Sequence, residues 1–305
     1  MEAVMMRMIL AVLALTLAFA APASAGSPRD RLVASPQWLA KRLADPDLVI
    51  LQVGDKAGYA AGHIPGARLV SLADVAAPAQ GPDSLILEMP DAETLRGRLA
   101  ALGVSDRSRI VVVPTKDGIQ SATRVVFTLD MAGLGARTRL LEGGLPAWSA
   151  AGLPLSSEAP VVKPGKLSAL KMRPMIVDAA FVQRHADAKG YAVVDARAPE
   201  FYSGAKAGGT PARPHRAGHI PGARSVPFVS VTTPDLTLAP ADEVAARFKA
   251  AGVKPGDTVI TYCHVGQQAS ATLFAARSLG LKVLLYDGSY EDWSRRDGAV
   301  SADAP

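Results

Sequence analysis

Ala61-Gly-His63-Ile-Pro-Gly66-Ala-Arg68 recurs letter for letter as Ala217-Gly-His219-Ile-Pro-Gly222-Ala-Arg224. Working outward from each copy, the same kinds of element come in the same order, which marks an internal duplication. An apolar strand precedes the octet (48–52 and 192–195), and an amphipathic helix follows it (91–102 and 241–251). A second strand (109–113 and 258–262), a helix (122–132 and 269–279), a third strand (137–141 and 281–285) and a Gly-Trp turn (144–148 and 288–293) complete each copy. Strands alternating with helices predict the α/β class: a mostly parallel sheet with helices on both faces, built twice. The expected division is an N-terminal domain over 27–155, a linker over 156–173 that holds Pro160 and Pro164, and a C-terminal domain over 174–305.

The copies differ where a strand gives way to a helix. The first has the loop 114–121, with no thiol and no obvious base beside Thr115 or Ser121. The second has Thr258-Val-Ile-Thr-Tyr-Cys263-His-Val-Gly266-Gln-Gln-Ala269, which carries the only cysteine of the chain. An isolated cysteine commonly serves as a small buried hydrophobe. This one stands at the start of a helix whose apolar stripe includes Leu273, Phe274 and Leu279, near unpaired N–H groups and the positive end of the helix dipole. Gly266 lets the backbone curl tightly. If the N–H groups of His264, Val265, Gly266, Gln267, Gln268 and Ala269 turn inward, they form a nest that stabilises an anion. The expectation is therefore a sulfur of lowered pKa that solvent can reach; a thiol walled off behind its strand and helix would count against it.

A chain of 305 residues, 49% hydrophobic and 20% charged, is long enough for two cores. Its net charge of +5 comes without a basic block interleaved with aromatics, which argues against nucleic acid and suits a small anionic substrate. At the N-terminus a charged stretch ending at Arg7, an apolar run over 8–21 too short to span a bilayer, and Ala23-Ser24-Ala25 predict a secretory signal peptide over 1–25. An uncleaved anchor is the alternative. After cleavage the protein would be periplasmic or secreted from a bacterium, with no membrane association, and a lone cysteine there has no intrachain disulfide partner.

The order Asp195-Ala-Arg197, Ala-Gly-His-Ile-Pro-Gly-Ala, strand-Cys-x-x-Gly-x-x-Ala-helix and Asp287-Gly288-Ser-x-x-x-Trp293 resembles the rhodanese family of sulfurtransferases, and the duplication resembles its tandem members. The resemblance implies an inert first domain and an active second one, in which Cys263 carries sulfur as a persulfide in a ping-pong cycle without metal or cofactor. The expected donor is a small anion, thiosulfate ahead of 3-mercaptopyruvate, and the acceptor is thiophilic: cyanide, a small thiol or a protein thiol. Arg197 is the first candidate for the cation that binds the donor. Arg213 and Arg216 follow, on a segment thirteen residues longer between Asp195 and Ala217 than between Gln52 and Ala61. Asp195 either orients Arg197 or caps a turn, His264 either lends charge or faces solvent, and Gln267 and Gln268 can donate hydrogen bonds to donor oxygens.

Val265 stands where thiosulfate enzymes often carry a basic residue, and Glu200-Phe201 where mercaptopyruvate enzymes often carry Gly-Arg. A Cys-x5-Arg phosphatase is disfavoured because Ala269 occupies the arginine's place. A non-catalytic persulfide carrier, sensor or protein-interaction module is the other alternative. His63 and His219 occur in both copies and are read as turn hydrogen-bonders, and Trp148 and Trp293 as core.

Overall fold

The computed structural model describes residues 26–115 and 118–302; the expected signal peptide lies outside them. Both copies form a five-stranded sheet with the same strand order. The first runs Val33–Ala34, Thr138–Leu141, Arg109–Val113, Leu48–Val53, Arg68–Val70, and the second Ile176–Val177, Lys282–Tyr286, Thr258–Tyr262, Tyr191–Asp195, Arg224–Ser225. Every neighbouring pair in both is parallel. The central strands are near-continuous apolar runs because helices cover both of their faces, as at Val111, Val112 and Val113 or Val193 and Val194.

The Gly-Trp segments are short helices rather than turns, Gly144–Ala150 and Ser289–Ser294. Their tryptophans are core, as expected, and each indole N–H donates to a carbonyl, of Pro154 (2.8 Å) or Ala299 (3.1 Å). The repeated histidines behave alike too: His63 stacks on Tyr59 and bonds its carbonyl, and His219 does the same with Tyr202. The segment 156–173 is a strap rather than a loose linker. Its Gly165 N–H donates to Ala100 O (2.7 Å), and Leu167 is buried in the core.

The two domains meet through the helices Ile119–Met131 and Gln267–Ser278. The single apolar stripe expected on the second helix is corrected: Ser270 is buried because the partner helix covers what would otherwise be a solvent face, and Thr272 is buried against its own domain, donating to Val226 O. Ser270 and Thr123 share a hydrogen bond of 3.0 Å across the contact. Arg124, fully buried, pairs with Asp287 at 2.6 Å and also donates to Leu87 O. Removing one partner of such a pair leaves an uncompensated buried charge, so Arg124→Leu should cost about 3–5 kcal/mol in denaturant unfolding. Adding Asp287→Asn should cost less than the two single losses summed. Simple additivity would show that the pair does not couple the domains.

Candidate active site

Cys263 is the first residue beyond the strand Thr258–Tyr262, at the carboxyl end of the sheet, and the helix Gln267–Ser278 starts four residues later. The intervening turn is held from outside. Tyr290 N–H donates to Cys263 O (2.9 Å), Glu291 N–H to His264 O (3.0 Å), and Cys263 N–H to Ser289 Oγ (3.3 Å). Ser289 adopts φ 52°, costly for a residue with a side chain, while its hydroxyl donates to Tyr286 O (2.9 Å). Gly266, the helix N-cap, sits at φ 81°, and a Cβ there would lie 2.9 Å from Arg124 Nη1. Glycine is thus required by both conformation and space.

A helix capped by glycine has no side chain to receive its first N–H groups. The Cys263 sulfur takes that place: the N–H groups of Ala269, Val265, Gly266 and Gln268 bond to it. Four of the six N–H groups expected to face the sulfur thus act on it; those of His264 and Gln267 are not among them. The expected low pKa and open sulfur are absent. Cys263 is 1% exposed, in a cluster with Phe127, Met131, Ala196, Ala269 and Leu273, and this burial outweighs the four amides and pushes the thiol up. Sequence shows the donors of a turn but not the desolvation that opposes them. On the outer side, His264, Val265, Gln267 and Gln268 are only half-buried, so the loop lies at the domain's rim.

Beside that rim is a cleft of about 340 Å³, lined among others by His264, Val265, Phe201, Lys206, Arg213 and His215. Much of its wall is the thirteen-residue extension, which forms a small antiparallel hairpin, Gly209–Thr210 with Arg213–Pro214. His215 and His264 face each other with Nδ1 atoms 3.3 Å apart, and Phe201 meets His264 edge-on at 4.7 Å between ring centroids. Burial first, then the charge of Arg197, push His264 down to about 4, so it is neutral near pH 7 and lends no charge. Burial lowers His215 as well.

The three arginines do not converge on a substrate. Arg197 is 1% exposed and spent on Asp195, with Nη2–Oδ2 at 2.6 Å and Nε within 3.1 Å of both oxygens. It also donates to Gly218 O and lies 3.9 Å from the centroid of Tyr290. Asp195 therefore orients Arg197, and it accepts that residue's own N–H as well. Arg216 is consumed by the carbonyls of Gly298 and Trp293, away from the cleft. Arg213 does line the cleft, but it pairs with Glu291 (2.8 Å) and ties the hairpin to Pro82 O and Ser84 O of the first domain. Gln267 is diverted likewise, donating to Ser121 Oγ of the first domain (2.8 Å), and Gln268 Oε1 is buried without a partner.

Lys206 was missed. It is exposed at the cleft over the Phe201 ring, 5.1 Å from its centroid, and forms no ion pair among the described residues. Its place in the extension between Asp195 and Ala217 was the available signal. His215 sits on the same extension, but nothing in sequence pairs it with His264. Among the described residues no cluster of His, Cys, Asp or Glu could hold a metal, and no helix is long and apolar enough to cross a membrane.

The rhodanese-like domain family matches residues 35–151 and again 178–296. A thiosulfate sulfurtransferase of Azotobacter vinelandii is 30% identical, over 86% of this chain and 93% of its own length. A probable 3-mercaptopyruvate sulfurtransferase of Pseudomonas aeruginosa is 32% identical, over 84% and 93%. The structure of SseA from Escherichia coli, described as a 3-mercaptopyruvate sulfotransferase, superposes with a TM-score of 0.74 at 27% identity, covering 85% of this chain and 98% of that one. Two matched domains, the shared topology and a thiol in an amide nest lead to one conclusion: the chain belongs to the rhodanese family and is a tandem-domain sulfurtransferase.

Proposed function

We propose that the second domain alone carries the reaction, moving a sulfane sulfur from an anionic donor, thiosulfate foremost, to a thiophilic acceptor through a persulfide on Cys263. The observation that carries this reading is the convergence of four backbone N–H groups on the one cysteine. The Cys263 thiolate attacks the sulfane sulfur, the S–S bond of thiosulfate breaks, and its electron pair leaves on sulfite. Cyanide or a thiol then attacks the outer sulfur, and the thiolate returns as leaving group. The same amides stabilise the charge on thiolate and persulfide. Pro114 occupies the place of Cys263 in the first domain and offers no nucleophile.

Thiosulfate fits the cleft's chemistry: Lys206 supplies an unpaired positive charge, and Phe201 stands where a second cation would clamp a carboxylate. Because Cys263 is covered, in part by Phe127 and Met131 of the first domain, the donor is received only when this cover moves aside. Opening removes the burial penalty and leaves the amides to lower the sulfur's pKa. The features of residues 1–25 support a site of action outside the cytoplasm.

Cys263→Ser should lower thiocyanate formation from thiosulfate and cyanide about 10³-fold or more; retained turnover would place the reactive group elsewhere. Lys206→Gln should raise KM for thiosulfate about two- to fivefold with kcat little changed, and kcat/KM for thiosulfate should exceed that for 3-mercaptopyruvate. The reverse order of donors contradicts the assignment. The rate of alkylation of Cys263 by iodoacetamide should climb with pH to a midpoint above the ordinary thiol value of about 8.5, since the thiolate reacts and the closed state disfavours it. A plateau by pH 7 in the parent protein would contradict a raised thiol.

A further inference from the structure

The duplication allows the two domains to be laid over each other residue by residue. Gln52 pairs with Val113 in the first sheet as Asp195 pairs with Tyr262 in the second. Two residues on, Gly54 therefore matches Arg197, and Pro114 matches Cys263. Leu145 N–H donates to Pro114 O (3.0 Å) as Tyr290 N–H donates to Cys263 O (2.9 Å), so Leu145 matches Tyr290. Tyr59 bonds Ala67 O (2.7 Å) as Tyr202 bonds Ala223 O (2.8 Å), which fixes the register on the far side.

In the second domain the space between these positions is filled by the Arg197 guanidinium on the Tyr290 ring. Glycine and leucine leave it empty in the first. A pocket of about 290 Å³ results, lined chiefly by Gln52, Gly54, Tyr59, Thr115, Leu145 and Pro146, with Gly58, Asp55 and Ser149 at the same opening. It lies outside the carboxyl ends of parallel strands, where open α/β sheets bind ligands, and its volume is at the lower edge of the range for small-molecule sites.

One buried polar group in it is unspent. Gln52 is 1% exposed at the end of its strand, and its Oε1 has no hydrogen-bond partner. A buried acceptor left unpaired keeps its full desolvation cost, which a ligand donor would recover. Its counterpart Asp195 is fully occupied by Arg197. Thr115 Oγ1, which donates to Val53 O (2.7 Å), keeps its lone pairs for the same ligand. Most of the remaining wall is apolar, with Asp55 and Ser149 at the opening, and none of its described residues is a cation.

We propose that this pocket of the first domain is a binding site for a compact, uncharged molecule with an apolar body and one N–H or O–H group that donates to Gln52. Anionic sulfur donors are excluded from it by the same chemistry that draws them to Lys206. The place that Arg197 and Tyr290 fill in the second domain thus serves as a receptor site in the first, and this holds whether or not the cycle at Cys263 runs as described above.

Indole, a neutral bicycle with one N–H, is the probe, with 1-methylindole as the form that lacks the donor. In an amide NMR titration of the full chain, indole should bind saturably with a Kd of about 0.1–1 mM and shift Gly54, Gly58 and Leu145. The methylated probe should bind about tenfold more weakly. Gln52→Met should remove that tenfold preference, and Leu145→Tyr, which restores the residue of the second domain, should abolish binding of both. Amide spectra of both variants that match the parent's away from the pocket would show that they fold. Absence of saturation up to 10 mM, shifts that map elsewhere, or indole affinity unaltered by Leu145→Tyr or Gln52→Met overturns the proposal.

Discussion

Two opposed effects meet at the sulfur of Cys263, and the rest of the molecule sets their balance. Removal from water disfavours the thiolate, while four backbone N–H groups favour it. The amides are available only because the helix that follows has no capping side chain and begins from a glycine in the left-handed region. Several elements hold that turn. The strained Ser289 and the short helix after it bond the backbone at Cys263 and His264, and Arg124 reaches in from the other domain to Asp287 and the Gly266 carbonyl. The nest is thus a product of tertiary structure rather than a property of six residues.

The division of labour between the copies follows from the same arrangement. The first domain lacks the thiol and, at Gly54, the arginine, yet it supplies Ser121, Thr123 and Arg124 to the contact that fixes the second domain's loop. Its segment around Pro82 to Met89 also reaches the second domain, through Arg213, Glu291 and Asp287. The gene-level repeat has become one working unit in which neither sheet can be described as an accessory of the other.

The topology was legible because identical octets and alternating strands and helices constrain it strongly, and the boundaries of Arg109–Val113 and Thr258–Tyr262 follow from their apolar runs. The cysteine and its glycine were legible for a similar reason: a thiol at a strand end before a helix is a local pattern. Partners of charged groups were not. Arg197, Arg213 and Arg216 each looked like a substrate cation; Asp195, two residues before Arg197, was within reach of a local reading, but whether the other two guanidiniums are spent on Glu291 or on carbonyls depends on residues tens of positions away. Burial of the sulfur was hidden likewise, since Phe127 and Met131 come from the other domain.

On the proposed reading, this shielded thiol accepts and holds one sulfur atom. Intact-protein mass spectrometry after exposure of the reduced chain to thiosulfate is the decisive test. A gain of one sulfur, localised to Cys263, that disappears on addition of cyanide is expected. An unchanged mass, or a gain elsewhere in the chain, would contradict it.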